Sequence, residues 1–524
     1  MPSHASRARL GFLLAALILT AVLLTPLRAG AASVQARAAD SFADSIGVDV
    51  HTAFSDTPYV SEFAVVKQRL AELGVRHVRD DLFPSRPDQY QRLDELAALG
   101  IGSTLVIGSP KNGIVGLESA LTTARDLAGL EAIEGPNEYS TSGDPDWKAK
   151  LIAYQEALYG QVKADPALGS LPVIGPSIVH NDQAALGDIS AHLDLGNIHS
   201  YPQGNPPDKL GSFIAKAELN SGTKPIVATE TGYHTALDWS GENPPVSEAA
   251  MATYVPRLFF EYFRWGIVRT YSYELLDEFP DPELDEKESN FGLLRHDLSP
   301  KPAFNALRNL IAILRDPGPT FAPGALDYTL GEAGAAFPGP ESSGLHKVLL
   351  QKRDGSFYLA LWRLSSVWDP VAKQELPAAT EPVELSVAPG IESVSEYRPN
   401  ASAAPLRSLA WPQQPLTVEV GPAVTILRLV PGKPEPPEPP RPPEAPQPPR
   451  PDEPAPPPPT ARCIVPSLIG RGLAATRSRL RVSDCRLGKV RGTRRGNRRV
   501  IKQSAPAGRV LAPGTRISVR LGAR

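Results

Sequence analysis

The stretch LEAIEGPNE, Leu130 to Glu138, decides the fold. It opens as a short apolar strand and runs out into Gly-Pro-Asn-Glu. Glycine and proline stop the strand and turn the chain, which leaves Asn137 and Glu138 in the loop that follows. A second stretch repeats the arrangement: KPIVATETGYH, Lys224 to His234, is an apolar strand that ends on a carboxylate, Glu230. Working outward, further candidate strands are SIGVDVH, VRHVRDD, GSTLVIG, PVIGPS, LGNIHSYP and GIVRTYSYEL, which makes eight in all. Between them lie runs such as SEFAVVKQRLAELG, YQRLDELAALG, LESALTTARDLAGL and WKAKLIAYQEALYGQVKA. Their apolar residues recur at three- and four-residue spacing, the mark of amphipathic helices, and several end in glycine. Two more helices are expected at SEAAMATYVPRLFFEYFRWG and AFNALRNLIAILRD. Eight strand–helix units predict a (β/α)8 TIM barrel over residues 41–316. The structural rival, a doubly wound open sheet, usually shows a glycine-rich phosphate turn after its first strand. SIGVDVHTAFSD has none.

The remainder is built differently. HKVLLQKRDGSFYLALWRL reads as two strands around an Asp-Gly turn, and VELSVAPG, ESVSEYRP, LTVEV and AVTILRLV continue the short strands. Residues 317–430 are therefore expected to form a β-sandwich. The chain has 56 prolines, about double the usual ~5% share, and they concentrate in residues 431–460. Such a run favours a semi-rigid polyproline spacer. Residues 461–524 form a small module with one helix and at least two strands. At the other end, Arg7 and Arg9 precede LGFLLAALILTAVLL and the small-residue stretch AGAAS. This has the layout of a secretory signal ending near Ala31, and an uncleaved anchor is the alternative. Residues 1–31 are assigned to that signal. No other stretch is long enough to span a bilayer, so no membrane contact is expected once the signal is removed.

The net charge of −3 hides a split. From Ala461 onward there are 17 Lys plus Arg and one acid, Asp484, whereas the rest of the chain carries 37 bases and 56 acids. The C-terminal end should meet polyanions. The two cysteines, Cys463 and Cys485, both lie there. An exported protein meets an oxidising environment, so a disulfide is expected, and two cysteines are too few for a cysteine-based metal site.

In a barrel, residues at the C-terminal ends of strands line the active site. Here these are His51; Arg79, Asp80 and Asp81; Asn137 and Glu138; His199 and Tyr201; Glu230; and Tyr271, Tyr273 and Glu274. The set is rich in carboxylates and holds no Gly-x-Ser-x-Gly elbow, no phosphate loop and no His-Glu-x-x-His, so no cofactor or metal is called for. His51 and His77 read as structural. The acidic run Asp277 to Glu288 reads as a solvated loop, although oxygen ligands at alternating positions would also suit Ca2+. Two carboxylates on strands that face each other across a barrel suit glycoside cleavage, which needs one on each side of the scissile bond.

The order Arg79, Asn137-Glu138, His199-x-Tyr201, Glu230 resembles clan A of the retaining glycoside hydrolases over about residues 41–316. The resemblance implies that Glu138 is the acid/base, with a raised pKa, and Glu230 the nucleophile. It also implies that Asn137 binds a sugar 2-hydroxyl, that Arg79 keeps Glu230 ionised and correctly turned, and that Tyr201 bonds near Glu230. His199 and Tyr273 complete the expected carbohydrate-binding set. Where the clan often carries a tryptophan platform, the eighth strand reads TYSYELLDE, with Tyr271 and Tyr273. Trp239 and Trp265 are the other aromatic candidates. The C-terminal module resembles a PASTA domain, through Val465-Pro466, Gly470, the Ala474–Leu480 segment, and VIKQSAPAG with PGTRISVRL. That resemblance implies a bacterial, wall-associated protein whose module binds peptidoglycan or another anionic wall polymer, with Cys463 and Cys485 clipping it. Nucleic acid is not an expected partner, because the module lacks aromatics on which bases could stack. The function expected is that of a secreted retaining glycosidase. A non-catalytic glycan-binding barrel, a wall transglycosylase and an adhesion scaffold are its rivals.

Overall fold

The computed structural model describes residues 32–332, 344–432 and 462–522, apart from 180, 413–414 and 493–497. The expected signal, and the proline-rich run from 433 on, lie outside the described residues. Eight strands form one all-parallel sheet. They are β1 (Ile46–Asp49), β2 (His77–Leu82), β3 (Gly102–Ile107), β4 (Leu130–Glu134), β5 (Val173–Ile174), β6 (Gly196–His199), β7 (Ile226–Thr231) and β8 (Thr270–Ser272). Hydrogen-bonded neighbours run β5-β4-β3-β2-β1-β8-β7-β6. A parallel bridge between Ile174 and Leu195, with Gly175 N donating to Leu195 O at 2.9 Å, joins the two ends, so the sheet closes into a barrel. The strands read as near-continuous apolar runs because both faces are covered. Every residue of β3 and β7 is buried.

The crossovers are carried by α1 (Phe63–Leu73), α2 (Pro87–Ala97), α3 (Gly113–Ala124), α4 (Trp147–Ala164), α5 (Leu210–Ser221), α6 (Glu248–Arg264) and α7 (Pro302–Leu314). Between β5 and β6 stand only short helical turns, Gln183–Leu186 and Ser190–His192. The barrel interior holds Ala132, Ile174, Val227 and Tyr271. Gly47 must lack a side chain, since a Cβ there would come within 2.4 Å of the Tyr271 ring.

Two sheets form the β-sandwich. One is a four-stranded sheet of Ala32–Gln35, Ala325–Glu332, Glu381–Val387 and Leu416–Val420. The other has six strands, in the order Arg407–Ala410, Ile391–Tyr397, Thr425–Pro431, Phe357–Arg363, Leu345–Gln351 and Arg37–Ala38. Residues 32–38, which precede the barrel, thus belong to the sandwich, whereas the sequence placed that layer wholly after residue 316. The short, alanine-rich stretch ASVQARA shows no strand pattern until its partners are known. Strand Phe357–Arg363 is buried on both faces. Phe357, Leu359 and Leu361 enter the sandwich core, and Tyr358, Ala360 and Trp362 pack with the barrel helices. Trp362 stacks on Phe260 at 5.3 Å, and its Nε1 donates to Glu261 at 2.8 Å.

The C-terminal unit is a separate compact unit. Helix Leu473–Val482 packs with a three-stranded sheet in which Arg516–Gly522 lies between Arg486–Arg491, parallel to it, and Arg499–Gln503, antiparallel. Its core is Val465, Leu468, Leu480, Val500, Ile517 and Val519. Cys463 and Cys485 form a disulfide that ties the first strand to the segment after the helix. Among the described residues no helix is long and apolar enough to cross a membrane.

Candidate active site

The site is assembled at the C-terminal ends of the strands. Arg79, from β2, is buried there and organises the rest. Its Nε and Nη2 donate to Glu134 at 2.6 and 3.0 Å, a bidentate grip on a carboxylate at the end of β4. Nη1 donates to Asp49 at 3.1 Å and to Glu230 at 2.9 Å, and Nη2 reaches Asn137 Oδ1 at 3.0 Å. Guanidinium geometry suits this task, since its donors lie in a rigid plane. Burial acts most strongly to lower the Arg79 pKa, but Glu134, Glu230 and Asp49 outweigh it and hold the cation well above its ordinary value. Burial pushes Asp49 well above the usual carboxylate range, with Arg79 opposing and Glu230 adding.

Glu230 is gripped from three sides. Besides Arg79, Tyr201 Oη donates to its Oε2 at 2.9 Å, and His199 Nδ1 lies 3.3 Å from the same oxygen. His199 Nδ1 also lies 2.7 Å from Glu138 Oε1. On its other side, Nε2 faces Thr229 Oγ1 at 3.0 Å. The Thr229 hydroxyl hydrogen is engaged by Asn197 Oδ1 at 2.7 Å and Glu134 Oε1 at 3.0 Å, so Nε2 is the donor to Thr229. One proton is then shared between Nδ1 and Glu138. Burial, the largest influence on His199, lowers its pKa, but Glu230 and Glu138 together raise it above the ordinary value.

Glu138 has left-handed backbone angles, φ 42° and ψ 34°. Strain of this kind in a non-glycine residue concentrates at functional sites. Ser177 Oγ fixes the loop by accepting from Glu138 N at 2.9 Å and donating to Asn137 Oδ1 at 3.0 Å. Among the described residues both bonds to the Asn137 side chain use Oδ1, which leaves its NH2 end for the cleft. One oxygen each of Glu138 and Glu230 lie within 4.8 Å of one another. They face a cleft of about 570 Å³.

Among solved structures, the chain is similar to a family 39 glycoside hydrolase from the gut symbiont Bacteroides cellulosilyticus WH2, at 17% identity and a TM-score of 0.50 over 75% of this chain and 81% of that one. The likeness is one of fold, a (β/α)8 barrel carrying a β-sandwich. Lower similarities are to a glucosidase from Croceicoccus marinus (11% identity, TM-score 0.47, 70% and 91% covered) and to a GH30 endoxylanase from Clostridium papyrosolvens C71 (11%, 0.45, 76% and 98%). No family model and no curated protein matches the sequence.

The structure brings together Arg79, Asn137, Glu138, His199, Tyr201, Glu230 and Tyr273 around this one cleft. It does not bring Tyr271 there: that ring fills the barrel interior, with its hydroxyl 2.8 Å from Thr104 Oγ1. Trp265 is half-exposed and does not line the cleft. Phe291 supplies an aromatic wall that the sequence did not suggest, edge-on to Tyr201 and Tyr273 at 5.7 and 5.2 Å. Glu134 was also missed. Its signal lay in the opening stretch, where strand alternation puts one more carboxylate inside the barrel. His77, read as structural, bonds Glu131 at 2.6 Å and Asp44 at 3.1 Å. The acidic run is not wholly solvated, because Asp277 and Glu278 at its start are buried.

Proposed function

We propose that this is a secreted, retaining glycoside hydrolase with Glu230 as nucleophile and Glu138 as acid/base. The observation that carries the reading is the proximity of the two carboxylates, within 4.8 Å oxygen to oxygen. Retaining enzymes hold their carboxyl groups about 5–5.5 Å apart, whereas inversion needs about 6.5–9.5 Å to admit a water. Glu230 is suited to attack because Arg79 and Tyr201 both donate to it and stabilise its anion. Its oxygen bonds to the anomeric carbon as the glycosidic C–O bond breaks, and Glu138 protonates the departing oxygen. Glu138 then removes a proton from water, which displaces Glu230 and regenerates both groups. Asn137 offers its amide NH2 to the 2-hydroxyl, and Tyr273 and Phe291 give the sugar apolar surface.

The C-terminal unit is proposed to hold the enzyme on the bacterial wall as a PASTA-like module that binds peptidoglycan or an anionic wall polymer. Arg477, Arg481 and Arg486 line one groove there, with Asp484 the one acid. Such binding should weaken as salt is raised. The test of the catalytic reading is to supply aryl glycosides and wall polysaccharides to the full chain and follow the anomer first released by NMR. Retained configuration, lost in both Glu138→Gln and Glu230→Gln, supports the reading. Release of the inverted anomer, or glycan binding without cleavage, would overturn it.

A further inference from the structure

A second convergence of side chains lies at the edge of the cleft and takes no part in the chemistry above. His51 follows β1, Glu274 follows β8, and Glu278 lies four residues further on. His51 Nε2 is 3.6 Å from Glu274 Oε2 and 3.9 Å from Glu278 Oε1, and one donor atom from each of the three lies within 4.8 Å of the others. We infer that His51, Glu274 and Glu278 form a site for a divalent transition-metal ion of the Zn2+ or Mn2+ kind.

The separations are too long for hydrogen bonds. They match those between ligands of one ion with bonds of about 2.0–2.2 Å, at ligand–metal–ligand angles of about 110–130°. Of the atoms concerned, only Glu274 Oε2 has a partner, the Tyr59 hydroxyl. Both His51 nitrogens, Glu274 Oε1 and Glu278 Oε1 are shielded from solvent and have no hydrogen-bond partner among the described residues. Glu274 is 0% exposed. Buried polar atoms are almost always satisfied, so several orphans on three facing groups call for a shared partner.

Electrostatics agree. Burial lowers the His51 pKa to about 3, which leaves its ring neutral with a lone pair to give. Burial, with Glu278 adding, pushes Glu274 well above the usual range, and burial, with Glu288 and Asp56 adding, pushes Glu278 up to about 7. A 2+ ion neutralises both. One imidazole with two carboxylates suits Zn2+ or Mn2+ better than Ca2+ or Mg2+, which prefer all-oxygen shells. Tyr59 Oη donates to Glu274 Oε2 at 2.8 Å and accepts from Leu276 N at 3.3 Å, which turns the carboxylate as an outer-shell partner would. His51 stacks on Phe54 at 4.6 Å and lies edge-on to Tyr273 at 5.7 Å. The ion would therefore tie the loops after β1 and β8 together and hold Tyr273 in the cleft wall.

The test uses the full chain, stripped with a chelator and then titrated calorimetrically with Zn2+ or Mn2+, beside Glu278→Gln and His51→Gln. The expected result is one ion per chain, a melting temperature several degrees higher with the ion than without, and binding weakened roughly tenfold or more in each variant. Stripped Glu278→Gln removes an ionisable group whose charge burial disfavours, so it should melt at or above stripped wild type, which separates lost ligation from lost folding. Stripped wild type that binds neither ion, or binding equal in wild type and both variants, overturns the inference and leaves a protonated carboxyl pair in its place.

Discussion

Arg79 and Glu230 stand 151 residues apart in the chain and are joined by a 2.9 Å hydrogen bond at the barrel mouth. The guanidinium that makes this bond is itself locked by Glu134 through two further bonds. Lysine would keep the charge but lose the fork. Arg79→Lys should therefore lower kcat by about 10²–10³, as losing one preorganised donor does, with little change in KM. Steady-state kinetics on a chromogenic glycoside read this directly, and an unchanged kcat would remove Arg79 from the proposed mechanism.

The two glutamates should fail in different ways. A substrate with a good leaving group needs no proton from Glu138. Glu138→Gln should then lose about 10²–10⁴ of activity on poor leaving groups and much less on dinitrophenyl glycosides. Added azide should yield a glycosyl azide of retained configuration. Glu230→Gln should be inactive on both substrates. If leaving-group ability makes no difference to Glu138→Gln, Glu138 is not the acid.

Trp362→Ala should cost about 3–5 kcal/mol, the usual penalty for emptying a large buried aromatic site. Trp362 is 0% exposed, and its removal also takes a donor from Glu261. Denaturant unfolding should show the loss. A change below about 1 kcal/mol would mean that the sandwich contributes little to the barrel's stability.

Asp80 carries a pH dependence of definite sign. Burial first, with Thr52 hydrogen bonds opposing, raises its pKa to about 7. Between about pH 4 and 7 the folded state keeps a proton that the unfolded chain releases. Stability from this group is full below pH 4 and falls as pH rises toward 7, at no more than about 1.4 kcal/mol per pH unit. Asp80→Asn should flatten that slope in urea midpoints measured from pH 4 to 8. An unaltered slope would show that another group titrates.

Much of the barrel is legible in the sequence because burial on both faces writes each strand as an apolar run bounded by turns. WKAKLIAYQEALYGQVKA became α4, Trp147–Ala164, residue for residue. Residues 32–38 were not legible: they are strands only because the sandwich offers edges to pair with. Helix α5, Leu210–Ser221, was also missed, its apolar face interrupted by glycine and polar residues. In the site, Glu138 and Glu230 could be picked out because one follows the Gly-Pro stop of a strand and the other stands at the end of one. Tyr271 and Tyr273 could not be told apart by function, since period-two alternation places both on the same side of a strand.

The sequence by itself determined the eight strands and most of the helices between them, the carboxylates at or just beyond two strand ends, the all-β region and the basic C-terminal unit. These are local patterns of burial, turn and charge. Only the tertiary structure decided that Glu138 and Glu230 lie within 4.8 Å, that Glu134 rather than solvent steadies Arg79, and that His51 meets Glu274 and Glu278. Closing the barrel sets those distances, because it brings into contact side chains from strands that are remote in the chain, and no local pattern encodes how far apart they come to rest.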